Sequence, residues 1–307
     1  SGQPQLERQF KDLLESKRKG SSTSPNGFVF FGGFGTGKSH VLEAFTKIAI
    51  DSNFVVSRAT ISNTLKLGSP TDVIKSLVAN TQTKAHLENG LEQLIADALE
   101  GQVNFESFIS WLSSEVERGR LSSVYLGIAS QLQKISYGTE TFEVVMDYLR
   151  GGTVAARLKQ SLDMRNLQFP DAKSRPAQTS IFLTRLFISL GYSGWVVLFD
   201  ELELIRLLPG APTRGRSYAE LAHWMGYNDL RPTQGLTVVG CMTSSYVSER
   251  IEYSGPTGPN ELSVIPERMS AGSTTSSLAA SAKLGMKLLQ QWDNQGDEKS
   301  LQLIRPS

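Results

Sequence analysis

A single cysteine, Cys241, stands in a chain of 307 residues, which excludes an internal disulfide and any cysteine-cluster metal site. A lone thiol fits a reducing, cytoplasmic setting. An excess of either charge is also lacking. The 31 Lys and Arg residues against 30 Asp and Glu give a formal net charge of +1, so there is no global pull toward nucleic acid or an acidic membrane. DNA as a partner is therefore not indicated by charge and would need a local basic face. The one tight basic run, Lys17-Arg18-Lys19, reads as the solvated end of an N-terminal helix, complementing its dipole. No apolar run approaches the ~18 residues that cross a bilayer, and the N-terminus has no signal-peptide core, so no membrane partner is expected. At 39% hydrophobic and 20% charged residues the composition is that of a folded globular chain.

The pattern of apolar residues sets out the organisation. Leu6, Phe10, Leu13 and Leu14 share one helical face within residues 4–18, and a Gly/Ser-rich loop runs from Gly20 to Gly27. Phe28-Val29-Phe30-Phe31 is a short continuous apolar run, as expected of a strand buried on both faces. A glycine-rich turn, a helix over 38–50 and a second strand over 53–61 complete a βαβ opening, which implies a mostly parallel sheet. Between 63 and 175 the spacing is helical, as in Leu87, Leu91, Leu94 and Ile95, and later Phe105, Phe108, Ile109 and Leu112. This stretch reads as a helical insertion without internal repeats. The sheet resumes with strands at Trp195–Phe199 and Leu236–Met242. Beyond Ser254 the chain turns Gly/Pro/Ser/Thr-rich and reads as loop or linker, with one helix over 278–292.

Gly32-Gly33-Phe34-Gly35-Thr36-Gly37-Lys38-Ser39 matches the Walker A pattern G-x-x-x-x-G-K-[ST] in full. Glycines allow successive backbone N–H groups to converge on phosphate oxygens, and the helix that follows places its positive end beneath them. Lys38 is expected to bridge the β- and γ-phosphates and Ser39 to ligate Mg2+. His40 adjoins the cradle and reads as a helix-face residue rather than a catalytic base.

Such a cradle needs an acid at the end of a neighbouring strand, and Trp195-Val-Val-Leu-Phe-Asp200-Glu201 supplies one. Asp200 is the expected magnesium partner, and Glu201 the residue that orients and polarises the attacking water. Glu203, two residues on, reads as a helix-turn or surface residue. Thr243, with Ser244 in reserve, ends the next strand where AAA+ proteins place a polar sensor, so it joins Lys38 and Glu201 as a catalytic candidate. Cys241 reads as a core residue. Arg206, Arg214, Arg216 and Arg250 are four candidates for a finger toward a neighbouring subunit's nucleotide, and one sequence does not choose among them. A GTPase would carry D-x-x-G after the acid and an N/T-K-x-D motif. Here Asp200-Glu201-Leu202-Glu203 replaces the first, and Thr83-Lys84-Ala85-His86 lacks the aspartate, so ATP is the expected nucleotide. The loop Gly20–Gly27 is the expected place for adenine contacts.

Taken together, Gly27–His40 and Gly191-Tyr-Ser-Gly-Trp-Val-Val-Leu-Phe-Asp-Glu-Leu-Glu203 resemble the ATP-binding proteins of BREX bacteriophage-exclusion systems. In that family a glycine-tyrosine-x-glycine step precedes a strand ending in aspartate-glutamate-x-glutamate. A helix like Ser217–Leu221 and a strand ending like Thr243 follow. The resemblance spans about Gly27 to Arg268, and implies an AAA+-like ATPase in prokaryotic antiphage defence, partnered by other defence-system proteins and able to form a homo-oligomer. It departs from a complete AAA+ module at the C-terminus, where a helical lid with a second sensor arginine is expected to be missing and Arg305 is the one sensor candidate.

The expected fold is thus α/β, a three-layer P-loop NTPase with a helical insertion. Residues 1–62 and 176–260 form the core, 63–175 the insertion, and 261–307 a C-terminal loop and helix. The expected function is Mg2+-dependent ATP hydrolysis driving conformational change. The alternatives are a nucleotide-gated scaffold with little turnover and, less well matched, a small-molecule kinase.

Overall fold

The computed structural model describes residues 4–20, 26–88, 90–162, 166–227, 233–252, 260–270, 276–293 and 302–303. The N-terminal helix α1 (Pro4–Arg18) leads to β1 (Gly27–Gly32), α2 (Lys38–Asp51) and β2 (Val55–Thr60). The inserted stretch holds α3 (Pro70–Ala79), a two-residue β3 (Thr81–Gln82), α4 (Gly90–Glu100), α5 (Glu106–Glu117), α6 (Ser123–Leu132), α7 (Glu140–Leu149) and α8 (Ala155–Ser161). Then come α9 (Arg175–Ser189), β4 (Trp195–Asp200), a 3-10 turn over Leu202–Leu207, α10 (Ala211–Trp224) and β5 (Leu236–Thr243). The chain continues with α11 (Glu261–Ser270), α12 (Ser276–Asp293) and β6 (Gln302–Leu303).

All residues of β1 and β4 are buried, as continuous apolar runs covered on both faces require. The six strands lie in the order β3-β2-β4-β5-β1-β6, with β2, β4, β5 and β1 parallel and the short edge pieces β3 and β6 antiparallel. Alternate side chains feed two cores. Phe28 and Phe30 of β1, Val196 and Leu198 of β4 and Val239 and Cys241 of β5 face α1 and α2, where Phe10 stacks on Phe45 at a centroid distance of 4.3 Å. Val29, Phe31, Val197, Phe199, Val238 and Met242 face the opposite layer. The sheet with a helical layer on each side is the expected three-layer α/β arrangement.

The helices of 63–175 do not form a core of their own. Their buried residues, from Val73 and Leu77 through Tyr125 to Leu149, join the same cluster as the second face of the sheet. Two expectations are corrected near the termini. Lys17 is not solvated: it is buried, 2% exposed, and burial pulls its pKa down to about 8, while Arg18 and Lys19 pair with Glu15 on the outside. The stretch after Ser254 is not all loop or linker, because Glu261–Ser270 is helical. Leu262, Ile265 and Met269 keep helical spacing through Pro266 and pack into the main core beside α10 and α12. Residues 21–25 of the proposed adenine loop and Arg305 lie outside the described residues. Asn26, within that loop, bonds to the Trp224 and Met225 carbonyl oxygens at the end of β1 opposite Gly32, so it lends the adenine assignment no support. No described helix is long and apolar enough to cross a membrane.

The Gly191–Gly194 step before β4 has a packing reason. A Cβ on Gly194, where φ is +148°, would lie 2.1 Å from the Gly235 carbonyl oxygen, because the starts of β4 and β5 meet there. Gly194→Ala is expected to cost about 1–3 kcal/mol of stability, measured by urea denaturation. A midpoint equal to that of the unaltered chain would contradict this close approach.

Candidate functional site

Parallel pairing brings three strand ends to the same edge of the sheet, with Asp200 about two residues short of the Gly32–Thr243 level. Gly32 lies opposite Thr243, and Phe199, just before Asp200, lies opposite Gly240. Beyond Gly32 the backbone turns through Gly35 (φ +74°) and Gly37 (φ +87°), left-handed values that a Cβ disfavours. A Cβ at either glycine would meet nothing within 4 Å, so conformation, not crowding, calls for glycine here. Thr36 closes the turn by donating from Oγ1 to the Gly33 carbonyl at 2.8 Å. Gly37 then caps α2, whose first residues are Lys38 and Ser39.

These residues border a cavity of about 470 Å3, within the range of small-molecule sites. Phe34 stands at its mouth, 99% exposed, and His40 lines it from the exposed side of α2. Thr243 contributes from β5. The Lys38 ammonium, on a buried side chain, rests on the Gly32 and Gly33 carbonyl oxygens at 3.4 and 3.3 Å. Ser39 Oγ donates to Asp200 Oδ2 at 3.1 Å across 161 residues of sequence.

Asp200 is the most heavily bonded acid of the site. Besides Ser39, Arg58 of β2 donates to Oδ2 at 2.5 Å, and Oδ1 accepts from the Cys241 thiol at 2.9 Å and the Glu201 amide at 3.0 Å. Burial pushes the carboxyl's pKa up, but the thiol, the guanidinium and the serine hydroxyl outweigh it, so it lies below the usual carboxylate value. The same contact, with burial as the larger cause, pushes the Cys241 thiol up and keeps it a protonated donor. Arg58 also reaches Glu43 of α2 at 3.6 Å.

The chain leaves β4 through Glu201, a non-glycine residue at φ 60° and ψ 38°. The 3-10 turn that follows eclipses residues three apart. Leu202 and Ile205 thereby point into the core, while Glu203 and Arg206 share the face that lines the cavity. Of the two readings of Glu203, the helix turn holds and the surface one is overturned, because the residue is 4% exposed. Burial raises its pKa, opposed by a hydrogen bond from its own backbone amide and by Lys38 and helped by the charges of Glu201 and Asp200, while its Oε2 is enclosed without a hydrogen-bond partner. Of the four candidate arginines only Arg206 lines the cavity, and Arg214 is tied to Glu261 and the Leu208 carbonyl.

The structure therefore brings Gly32–His40, Asp200 through its bond to Ser39, Glu201 and Thr243 to one place. Sequence reasoning missed Arg58, Cys241 and Glu203. An arginine within the otherwise small and uncharged Val55–Thr60 strand was the available signal for the first. Ser39 and Asp200 offer the hard oxygen donors that suit Mg2+.

Because residue 201 sits in the left-handed region, Glu201→Gly is expected to be about 1 kcal/mol more stable than Glu201→Ala. The two denaturation midpoints decide it, and an alanine variant as stable as the glycine one would contradict the turn geometry.

A comparison with curated proteins finds no match. The family profile described as BREX system ATP-binding protein BrxC/D matches residues 5–162, just over half of the 307-residue chain. The match takes in the glycine cradle and all the inserted helices α3–α8 and ends ahead of Asp200. The chain belongs to the family of BREX system ATP-binding proteins BrxC/D.

Proposed function

We propose that this chain binds ATP with Mg2+ in the cavity between α2 and the 3-10 turn, and that its hydrolysis drives conformational change in an antiphage defence complex. The observation that carries this reading is the bond between Ser39 and Asp200. It joins the first turn of the cradle helix to the end of an acid-bearing strand, where a cation on a phosphate chain would be held.

Lys38 would exchange the Gly32 and Gly33 carbonyl oxygens for β- and γ-phosphate oxygens, a swap of neutral for charged acceptors that favours the ligand. The backbone amides of Gly33–Ser39 and the start of α2 would hold the remaining phosphate oxygens. Ser39 would ligate Mg2+ directly and Asp200 would hold its water shell. Mg2+, when bound, supplies positive charge at the oxygens that gain negative charge in the transition state. Glu201 orients the attacking water, and the Thr243 hydroxyl, level with Gly32, steadies the γ-phosphate side. The family supports ATP as the nucleotide and other BREX components as partners.

Fluorescent-ATP titration and single-turnover hydrolysis test this together. Lys38→Ala is expected to lose nucleotide affinity at least tenfold. Glu201→Gln should bind within a few-fold of the unaltered chain and hydrolyse about 100-fold or more slowly. Chelation of Mg2+ should stop turnover in both the unaltered chain and its variants. Binding without turnover in the unaltered chain, alone and with BREX components, would replace the hydrolytic reading with that of a nucleotide-gated scaffold.

A further inference from the structure

Glu203 is a buried acid at the cavity with one carboxylate oxygen left without a hydrogen bond. Its Oε2 is enclosed and has no hydrogen-bond partner, and the residue is 4% exposed. Nearby cations donate no hydrogen bond to this oxygen: Arg58 is bonded to Asp200 and reaches Glu43, Lys38 rests on the Gly32 and Gly33 carbonyl oxygens, Arg214 pairs with Glu261, and Arg206 lines the cavity without reaching Oε2. Burying an unpartnered carboxylate costs stability, and a glutamine of the same size would cost less. The 3-10 period nevertheless aims this side chain at the cavity, on the same face as Arg206.

We propose that Glu203 is a second catalytic acid of the nucleotide site, binding the attacking water together with Glu201. The inference rests on the ATPase reading. A phosphate chain repels a carboxylate, and the cation expected here is held at Ser39 and Asp200, so the group that satisfies Oε2 in the occupied site is a hydrogen-bond donor. Water held against the γ-phosphate is the donor that the reaction itself requires. In the step, a lone pair of the water oxygen forms the new bond to phosphorus. The bond from phosphorus to the β,γ-bridging oxygen breaks, and its electron pair leaves with ADP. The proton released by the water passes to the carboxylate pair and from there to solvent as phosphate departs. The two acids, Glu201 half-buried at the start of one short turn and Glu203 buried one residue beyond Leu202, line the same cavity.

The test compares Glu203→Gln, Glu201→Gln and the double variant with the unaltered chain. Single-turnover hydrolysis is counted per bound fluorescent nucleotide, so that misfolded protein drops out, and thermal melting is followed in parallel. Glu203→Gln is expected to bind ATP within about threefold of the unaltered chain and to melt at the same temperature or higher. Its hydrolysis per bound nucleotide should fall about 100-fold. The double variant should be slowed little more than either single one, as for residues that act as a unit. Hydrolysis by Glu203→Gln within twofold of the unaltered chain overturns the proposal, whether or not its melting temperature falls. An unaltered chain that binds ATP without turning it over sinks the ATPase reading and this inference with it. Normal turnover in Glu203→Gln beside a dead Glu201→Gln sinks this inference alone.

Discussion

The seat of β5 between β1 and β4 is the constraint on which the site depends. The cradle and the acid come from strands that do not touch, and β5 holds them at the same edge of the sheet, in fixed register, by pairing with both. A shift of one residue in either pairing would turn every side chain to the wrong face. The alternation Phe28, Phe30 against Val29, Phe31, repeated in β4 and β5, fills two separate cores and so resists that shift. Packing far from the cavity thereby sets the distance between Ser39 and Asp200. The inserted helices take part, since their apolar residues complete the core on one face of the same sheet.

Two buried acids three residues apart meet opposite fates. Asp200 has four donors, two on each oxygen, one of them the charged guanidinium of Arg58. Charge-assisted bonds of this kind offset desolvation and keep the group ionised. Glu203 has no such set, and its pKa moves the other way. Glu201, between them, carries backbone strain instead of burial, with φ at 60°. Unfavourable local terms thus gather on the short segment that faces the cavity, as expected where function and stability pull apart.

Much of this arrangement was legible in the sequence, and the gaps have physical causes. The four parallel strands read directly because runs such as Phe28–Phe31 and Trp195–Phe199 are apolar on both faces. The cradle read from its spacing, since few chain geometries call for that set of glycines before Lys-Ser. The edge strands β3 and β6 did not, because two residues carry no period. Helix α11 was hidden by Pro266 and by its polar flanks. Glu203 was legible as a helix-turn residue but its burial was not, because the side-chain direction after a strand end depends on the turn that follows. A 3-10 turn puts the residue inward, where a looser turn would leave it in water. Arg58 and Cys241 act through contacts made across the sheet, which local pattern does not contain.

On the proposed reading, the polar groups of the cradle already have partners before any nucleotide arrives. Lys38 rests on backbone carbonyl oxygens, Ser39 on Asp200, and Arg58 on the same carboxylate oxygen. Binding therefore exchanges contacts and gains only the difference between them. For Lys38 the exchange is from neutral to charged acceptors and runs downhill. For Asp200 an incoming dication competes with Arg58, and that competition would weaken metal binding if the guanidinium had nowhere else to go. It has Glu43, 3.6 Å away on α2, the helix that carries Lys38 and Ser39 at its start. A cation seated at Ser39 and Asp200 would thus shift Arg58 toward that helix, tying occupancy of the metal position to the element that grips the phosphates.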